Sequence, residues 1–183
     1  MAKKSRDAKI AEFCDWAESH RWEVRRFATD AEIPAVIASR YENAPKGYLR
    51  FLQKVSRMAT PDGKGWFNCK DEFDQTSASA EFQWNAWERL SLEAIALYPD
   101  EAEGATEREI AEVRRFWDTH LPLFLDVSGH YAFFAINIRN GTIVYGCSPS
   151  FEDTPTEVAS SFTEFLELIM EERVDLKLGI VRD

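Results

Sequence analysis

The stretch LPLFLDVSGHYAFFAINIRNGTIVYGC, residues 121–147, decides the fold. Residues 121–127 read as a strand that Pro122 starts or interrupts. Residues 131–138 form a nearly continuous apolar run, the pattern of a central strand covered on both faces. Arg139-Asn140-Gly141 then predicts a tight hairpin, because Asn-Gly accepts the positive φ that such turns require. Residues 142–147 are the returning strand. The second half of the chain therefore carries an antiparallel β-core.

Upstream, helical spacing dominates. Ile10, Phe13, Cys14 and Ala17 share one helix face, which predicts a helix near 5–19. Trp22 and Val24 alternate with charged residues as in a short strand. Thr29 and Glu32 form a capping-box pattern that would start a helix bearing Ile33, Val36, Ile37 and Tyr41. Pro45 opens a second helix with Tyr48, Leu49, Phe51, Leu52 and Val55. A Thr-Pro-Asp-Gly turn at 60–63 leads into a strand at Gly65-Trp66-Phe67. Residues 74–82 and 99–104 are loop-like. Trp84, Trp87, Leu90, Leu92, Ile95 and Leu97 lie between them on a helical or mixed segment. A second capping box, Thr106 to Glu109, predicts a helix with Ile110, Val113, Phe116 and Trp117.

Downstream, residues 148–155 read as a loop. From Thr156, the residues Val158, Ala159, Phe162, Phe165, Leu166, Ile169 and Met170 predict an amphipathic closing helix. This order gives an α+β class rather than a βαβ alternation. The expected architecture is a central, mainly antiparallel sheet flanked by N-terminal helices and a closing C-terminal helix. All 183 residues fit one domain, 1–183.

A hydrophobic content of 45% excludes a disordered chain. Twenty-two basic and thirty-two acidic residues give a net charge of -10, which disfavours nucleic acid and anionic membrane surfaces. The same charge attracts a basic protein. Residues 71–112 hold twelve acidic side chains against Arg89 and Arg108, and residues 152–175 hold eight against Arg173. Cys14, Cys69 and Cys147 are widely spaced and form no CxxC pair, so neither a metal nor a redox motif is predicted. Free thiols suit a reducing compartment. The N-terminal MAKKSRDAK has no apolar run after its basic residues, and no segment is long enough to span a membrane. A cytoplasmic location is expected.

Chemistry-bearing motifs are sparse. His20, His120 and His130 are far apart and lack an HExxH arrangement. His130, beside Gly129 at the mouth of a strand, reads either as a ligand-facing group or as a turn residue. Gly63-Lys64-Gly65 lacks the rest of a phosphate loop, and neither GxGxxG nor GxSxG occurs. No spacing singles out a pair of carboxylates for acid–base work. Catalytic residues, cofactors and metals are therefore not predicted. Trp84 and Trp87, three apart with acidic residues on either side, read either as core or as interface anchors.

Several stretches resemble the SUKH superfamily, which includes bacterial immunity proteins and fungal cell-wall-assembly regulators. PKGYLRFL at 45–52 looks like its "P-x-x-Y-x-x-F-L" helix. LPLFLDVSGHYAFFAI at 121–136 is similar to its strand, Gly-centred turn and strand. GTIVY at 141–145, followed by VASSFTEFL at 158–166, looks like its last strand and closing helix. The likeness covers residues 30–172 and leaves 1–28 as an N-terminal helical extension. Two positions that are often acidic in the family are His130 and Asn137 here.

The resemblance implies a non-enzymatic protein that neutralises a toxin by binding it. Its partner would be a basic toxin domain. The contact residues expected from charge and position near turns are Asp126, Glu152, Asp153, Asp100, Glu101 and Glu103, with His130 and Trp84 as further candidates. Asp126 and Glu152 are expected to act by steering and rim pairing. A regulatory scaffold that binds a host protein is one rival. A hydrolase built on scattered carboxylates is another.

Overall fold

The period-two pattern of residues 132–136 separates two hydrophobic clusters. Ala132, Phe134 and Ile136 join one, and Phe133 and Ala135 join the other. A computed structural model describes residues 5–74, 83–99, 104–129, 131–148, 152 and 155–182. Its strands are β1 (Glu23–Arg26), β2 (Val55–Ala59), β3 (Gly65–Phe67), β4 (His120–Asp126), β5 (Ala132–Asn137), β6 (Ile143–Cys147) and β7 (Thr156–Ala159). They form a seven-stranded sheet in sequence order, and every pair is antiparallel. The helices are α1 (Arg6–Ser19), α2 (Ala35–Arg40), α3 (Lys46–Lys54), α4 (Lys70–Phe73), α5 (Ala86–Leu97), α6 (Ala105–Thr119) and α7 (Phe162–Met170). The α+β class is as expected.

The two clusters make three layers. On one face, α1, α3 and α7 supply Phe13, Phe51 and Phe165, which pack with Phe67, Phe124 and Phe134 of the sheet. On the other face, Trp87 of α5 and Trp117 of α6 pack on Leu125, Phe133 and Val144. Trp117 and Phe133 meet edge to face at 4.8 Å. With a helical layer on each side, β5 has no solvated face, which is why its sequence is apolar at consecutive positions.

Helix α2 ties the layers together. Tyr41, which ends it, donates to the Trp117 carbonyl at 2.8 Å. Arg40 reaches both α5 and α6. Its guanidinium donates to both oxygens of Glu88 at 2.7 and 2.8 Å, and to Asp118 Oδ1 at 2.8 and 3.0 Å. Such forked, charge-assisted bonds fix orientation as well as add energy.

Four local expectations need correction. Helix α2 begins at Ala35, not at Thr29. The intervening backbone is pinned to the end of α3 by Phe27 N–H to Lys54 O at 2.9 Å and Ala31 N–H to Gln53 O at 3.0 Å. Pro34 also disfavours helical geometry at Ile33. The β5–β6 connection is wider than a two-residue hairpin. Asn137 N–H bonds to Thr142 O at 2.9 Å, and only Gly141 takes positive φ, at 83°. Helix α6 starts at Ala105, and Gly104 rather than Thr106 occupies the N-cap, with φ 71°.

The last correction concerns the closing helix. Residues 156–159 are strand β7, and α7 starts only at Phe162. Ser161 Oγ accepts from Glu164 N–H at 3.2 Å, while the Glu164 carboxylate returns to Ser160 N–H at 2.7 Å. That cap places the helix start after Ser161 and frees Thr156, Glu157 and Ala159 to pair with β6. Among the described residues, no helix is long and apolar enough to cross a membrane.

Candidate functional site

Helix α5 loses its burial along its length. Ala86 and Trp87 are covered, Leu92 and Ile95 are partly covered, and Leu97 and Tyr98 are 73% and 83% exposed. The apolar residues through Leu97 had been read as a helical or mixed segment, which does not separate covered positions from exposed ones. The cluster on this face of the sheet buries Ala86 and Trp87 and packs on Leu90, Leu92 and Ile95, but it takes in neither Leu97 nor Tyr98. Two adjacent large apolar side chains just before Pro99 break the i, i+3, i+4 spacing, and that break is the sequence signal for their exposure.

Beside this helix end runs a groove of about 760 Å³ between α5 and α6. Ala94, Ile95 and Phe116 give it apolar walls, and its charged lining sets Glu109, Glu112 and Glu152 against Arg115 and Arg139. His120, at the start of β4, stacks on Phe116 with ring centroids 4.1 Å apart. Its Nδ1 lies 3.0 Å from the Phe116 carbonyl. Burial holds the His120 ring below its ordinary pKa, so it is neutral at pH 7. Glu109 and Glu112 had not been singled out from the sequence, because α6 also carries Arg108, Arg114 and Arg115.

Of the contact residues expected from the sequence, Asp126, Glu152 and Trp84 lie within the described residues. Glu152 lines the groove but is partly buried. It accepts from Ser91 Oγ at 2.8 Å and from Trp117 Nε1 at 2.6 Å. This carboxylate is engaged by α5 and α6 rather than standing on a free rim. Asp126 ends β4 at 3% exposure, with Oδ1 accepting from Ser128 N–H at 3.0 Å and Ser128 Oγ at 2.6 Å. A rim role is therefore corrected to a buried one for Asp126.

Asp126 and Glu152 do not share a patch. Glu152 belongs to the α5–α6 face, whereas Asp126 lines a cleft of about 650 Å³ with Trp16 of α1 and Ile169 of α7. Trp84 is a core residue at 7% exposure, edge-on to Tyr41 at 6.3 Å. The Arg40 guanidinium lies 5.9 Å from its ring centroid. Asp100, Glu101, Glu103, His130 and Asp153 lie outside the described residues.

Many of the acidic side chains are internally matched. Glu88, Glu93, Asp74 and Glu72 pair with Arg40, Arg89, Lys70 and Arg57, and Glu167 pairs with Lys9. Glu107, Glu109 and Glu112 of α6 form no ion pair among the described residues. Among the described residues, no three His, Cys, Asp or Glu side chains converge as metal ligands. Cys14 and Cys69 are buried free thiols, and burial raises the Cys14 pKa to about 11. The chain matches no protein-family model, and no curated protein matches it.

Proposed function

We propose that this chain is a cytoplasmic, non-enzymatic immunity protein of the SUKH type that neutralises a basic toxin domain by direct binding. One observation carries this reading. Leu97 and Tyr98 stand exposed at the end of α5, beside a groove bordered by Glu109 and Glu112. Exposed aromatic and aliphatic anchors with a charged border form the usual anatomy of a protein interface. The net charge of -10 adds long-range attraction for a basic partner. The α+β order of helices, β-core and closing helix also suits the family resemblance.

On this reading, Leu97 and Tyr98 supply affinity, while the α6 carboxylates supply approach and register. The partner to test is a toxin domain encoded beside this gene. By calorimetry and stopped-flow mixing, Tyr98→Ala is expected to weaken the complex by about 2 kcal/mol. Reversing Glu109 and Glu112 to Lys is expected to slow association and flatten its salt dependence. Unchanged binding in both variants would remove this face from the interface. Turnover of a small molecule that is lost on replacing one polar side chain would remove the non-enzymatic reading altogether.

A further inference from the structure

Helix α5 runs past the cluster it helps to bury. Trp87, Ser91 and Ala94 lie on one stripe of it, at i, i+4 and i+7, yet Trp87 and Ser91 are buried while Ala94 is exposed. Ser91 Oγ and Trp117 Nε1 meet on Glu152 Oε1, so the start of α5 lies beside the end of α6 and the two helices run antiparallel. The exposed pair Leu97 and Tyr98 therefore stands at the end of the groove where α6 begins.

The charges of that groove are divided along α6. Glu109 and Glu112 lie toward Leu97 and Tyr98. Arg115 lies beyond them, and Arg139 joins the far end, because Asn137 of β5 pairs with His120 at the start of β4. Among the described residues, none of these four side chains has an ion-pair partner. Of the other charges on α6, Glu107, Arg108 and Arg114 do not line the groove, and Asp118 is held by Arg40. One face thus carries an apolar knob with an acidic border, an apolar hollow, and a basic border at the opposite end. A patch that holds both halves of a contact can complement itself across a two-fold axis.

We propose that this face pairs with a second copy of the chain as a two-fold symmetric dimer. An axis across the middle of α6 sets the two copies of that helix antiparallel. Glu109 and Glu112 of each copy then meet Arg115 and Arg139 of the other, and Leu97 and Tyr98 of each copy seat at the Phe116 end of the other's groove. There the Tyr98 ring offers its face to guanidinium groups. Its hydroxyl donates to His120 Nε2, which has no partner among the described residues because the Phe116 carbonyl takes the Nδ1 proton. The net charge of -10 repels copies at long range, but at physiological salt the Debye length is about 8 Å, and the acid–base contacts act inside it. One consequence rests on the function proposed above: the dimer covers the toxin-facing anchors until a toxin competes for them. The pairing itself needs no toxin.

The test is sedimentation velocity of the chain alone across about 5 to 500 µM, a range in which mass action exposes a reversible dimer. A monomer–dimer equilibrium is expected. Tyr98→Ala and Ala94→Arg are each expected to weaken it about tenfold or more. Ala96→Arg, on the other side of α5 beside Arg89 and Glu93, is expected to leave it unchanged. Two double variants, E109K/E112K and R115E/R139E, decide the symmetry. Neither is expected to self-associate, because each sets like charges face to face, and an equimolar mixture is expected to restore the dimer. Far-UV circular dichroism reports that each variant is folded. If a double variant does not fold, Tyr98→Ala and Ala94→Arg decide, both being changes at exposed positions. A parent that stays monomeric, a species that grows beyond the dimer, unchanged pairing in Tyr98→Ala and Ala94→Arg, or a mixture that stays monomeric would each overturn the proposal. With no toxin present, such a result leaves the toxin reading standing, and that reading fails separately if toxin binding survives the variants named for it.

Discussion

Glu72 provides a pH signature that can be worked out from its surroundings. It is 2% exposed in α4. Its carboxylate accepts from Cys69 N–H at 3.0 Å and from Arg57 at 3.1 Å. Burial dominates these contacts and raises its pKa from 4.5 to about 7. Below 4.5, both folded and unfolded chains hold the proton, and the group has no effect on stability relative to its neutral form. Between 4.5 and about 7, the unfolded chain releases the proton while the folded chain retains it, so stability falls as pH rises. Above that window both states are ionised and the full burial cost is present. From these two values, Glu72 is expected to remove about 2–3 kcal/mol of stability between roughly pH 5 and pH 8. Urea denaturation of the protein and of Glu72→Gln across this range tests it, because groups common to both cancel in the difference. The variant keeps an acceptor for Cys69 N–H but has no titration. It is expected to gain on the parent as pH rises. A difference that is flat, or that moves the other way, would mean that Arg57 rather than burial governs this carboxyl.

Three further outcomes follow from other parts of the fold. Arg40→Ala leaves Glu88 without its forked partner between layers and is expected to lower the unfolding free energy by about 2–3 kcal/mol, measured by denaturation, with Arg40→Lys recovering only part. Gly179 takes φ +63°, and a Cβ there would come within 2.2 Å of the Tyr145 ring, so Gly179→Ala is expected to lift the segment after α7 and expose it to limited proteolysis. Tyr98→Ala is expected to change stability by less than about 0.5 kcal/mol, because the side chain is 83% exposed, so any loss of binding in that variant belongs to the interface.

The sheet was legible wherever a residue's neighbours along the chain decide its environment. The run at 131–138 became β5 because consecutive apolar residues need cover on both sides, and α5–α6 and α1–α3–α7 supply it. Strand β7 was missed because Val158 and Ala159 also fit the helical spacing of Phe162 and Phe165. What separates them is the Ser160–Ser161–Glu164 cap, a short-range signal that outweighs the periodicity. The width of the β5–β6 loop was hidden because Asn-Gly permits two positive φ values without requiring both.

The candidate site was less legible because surface position is a property of the assembled layers. Asp126 and Glu152 both sit near turns, yet one faces α1 and the other α6. No charge count distinguishes those outcomes. Leu97 was read as part of a helical or mixed segment, and only the assembled layers show that the apolar cluster under α5 stops short of it.

The internal ion pairs divide electrostatic work between distance and contact. An Arg40–Glu88 or Lys9–Glu167 pair is nearly neutral from afar, so it adds little to the field a partner meets. The net charge of -10 is untouched by such pairing, because matching equal and opposite charges leaves the surplus where it was. Helix α6 is polarised rather than uniformly acidic: Glu107, Glu109 and Glu112 outnumber Arg108 in its first two turns, while Arg114 and Arg115 follow them. On the function proposed above, a basic protein is drawn by the whole charge and oriented by the acidic first half of that helix. Reversing Glu93, already matched by Arg89, changes the total as much as reversing Glu112 does, yet it alters the oriented part less. Unequal association rates for these two equal charge changes are the mark of a docking face, and equal rates are the mark of mere solubility.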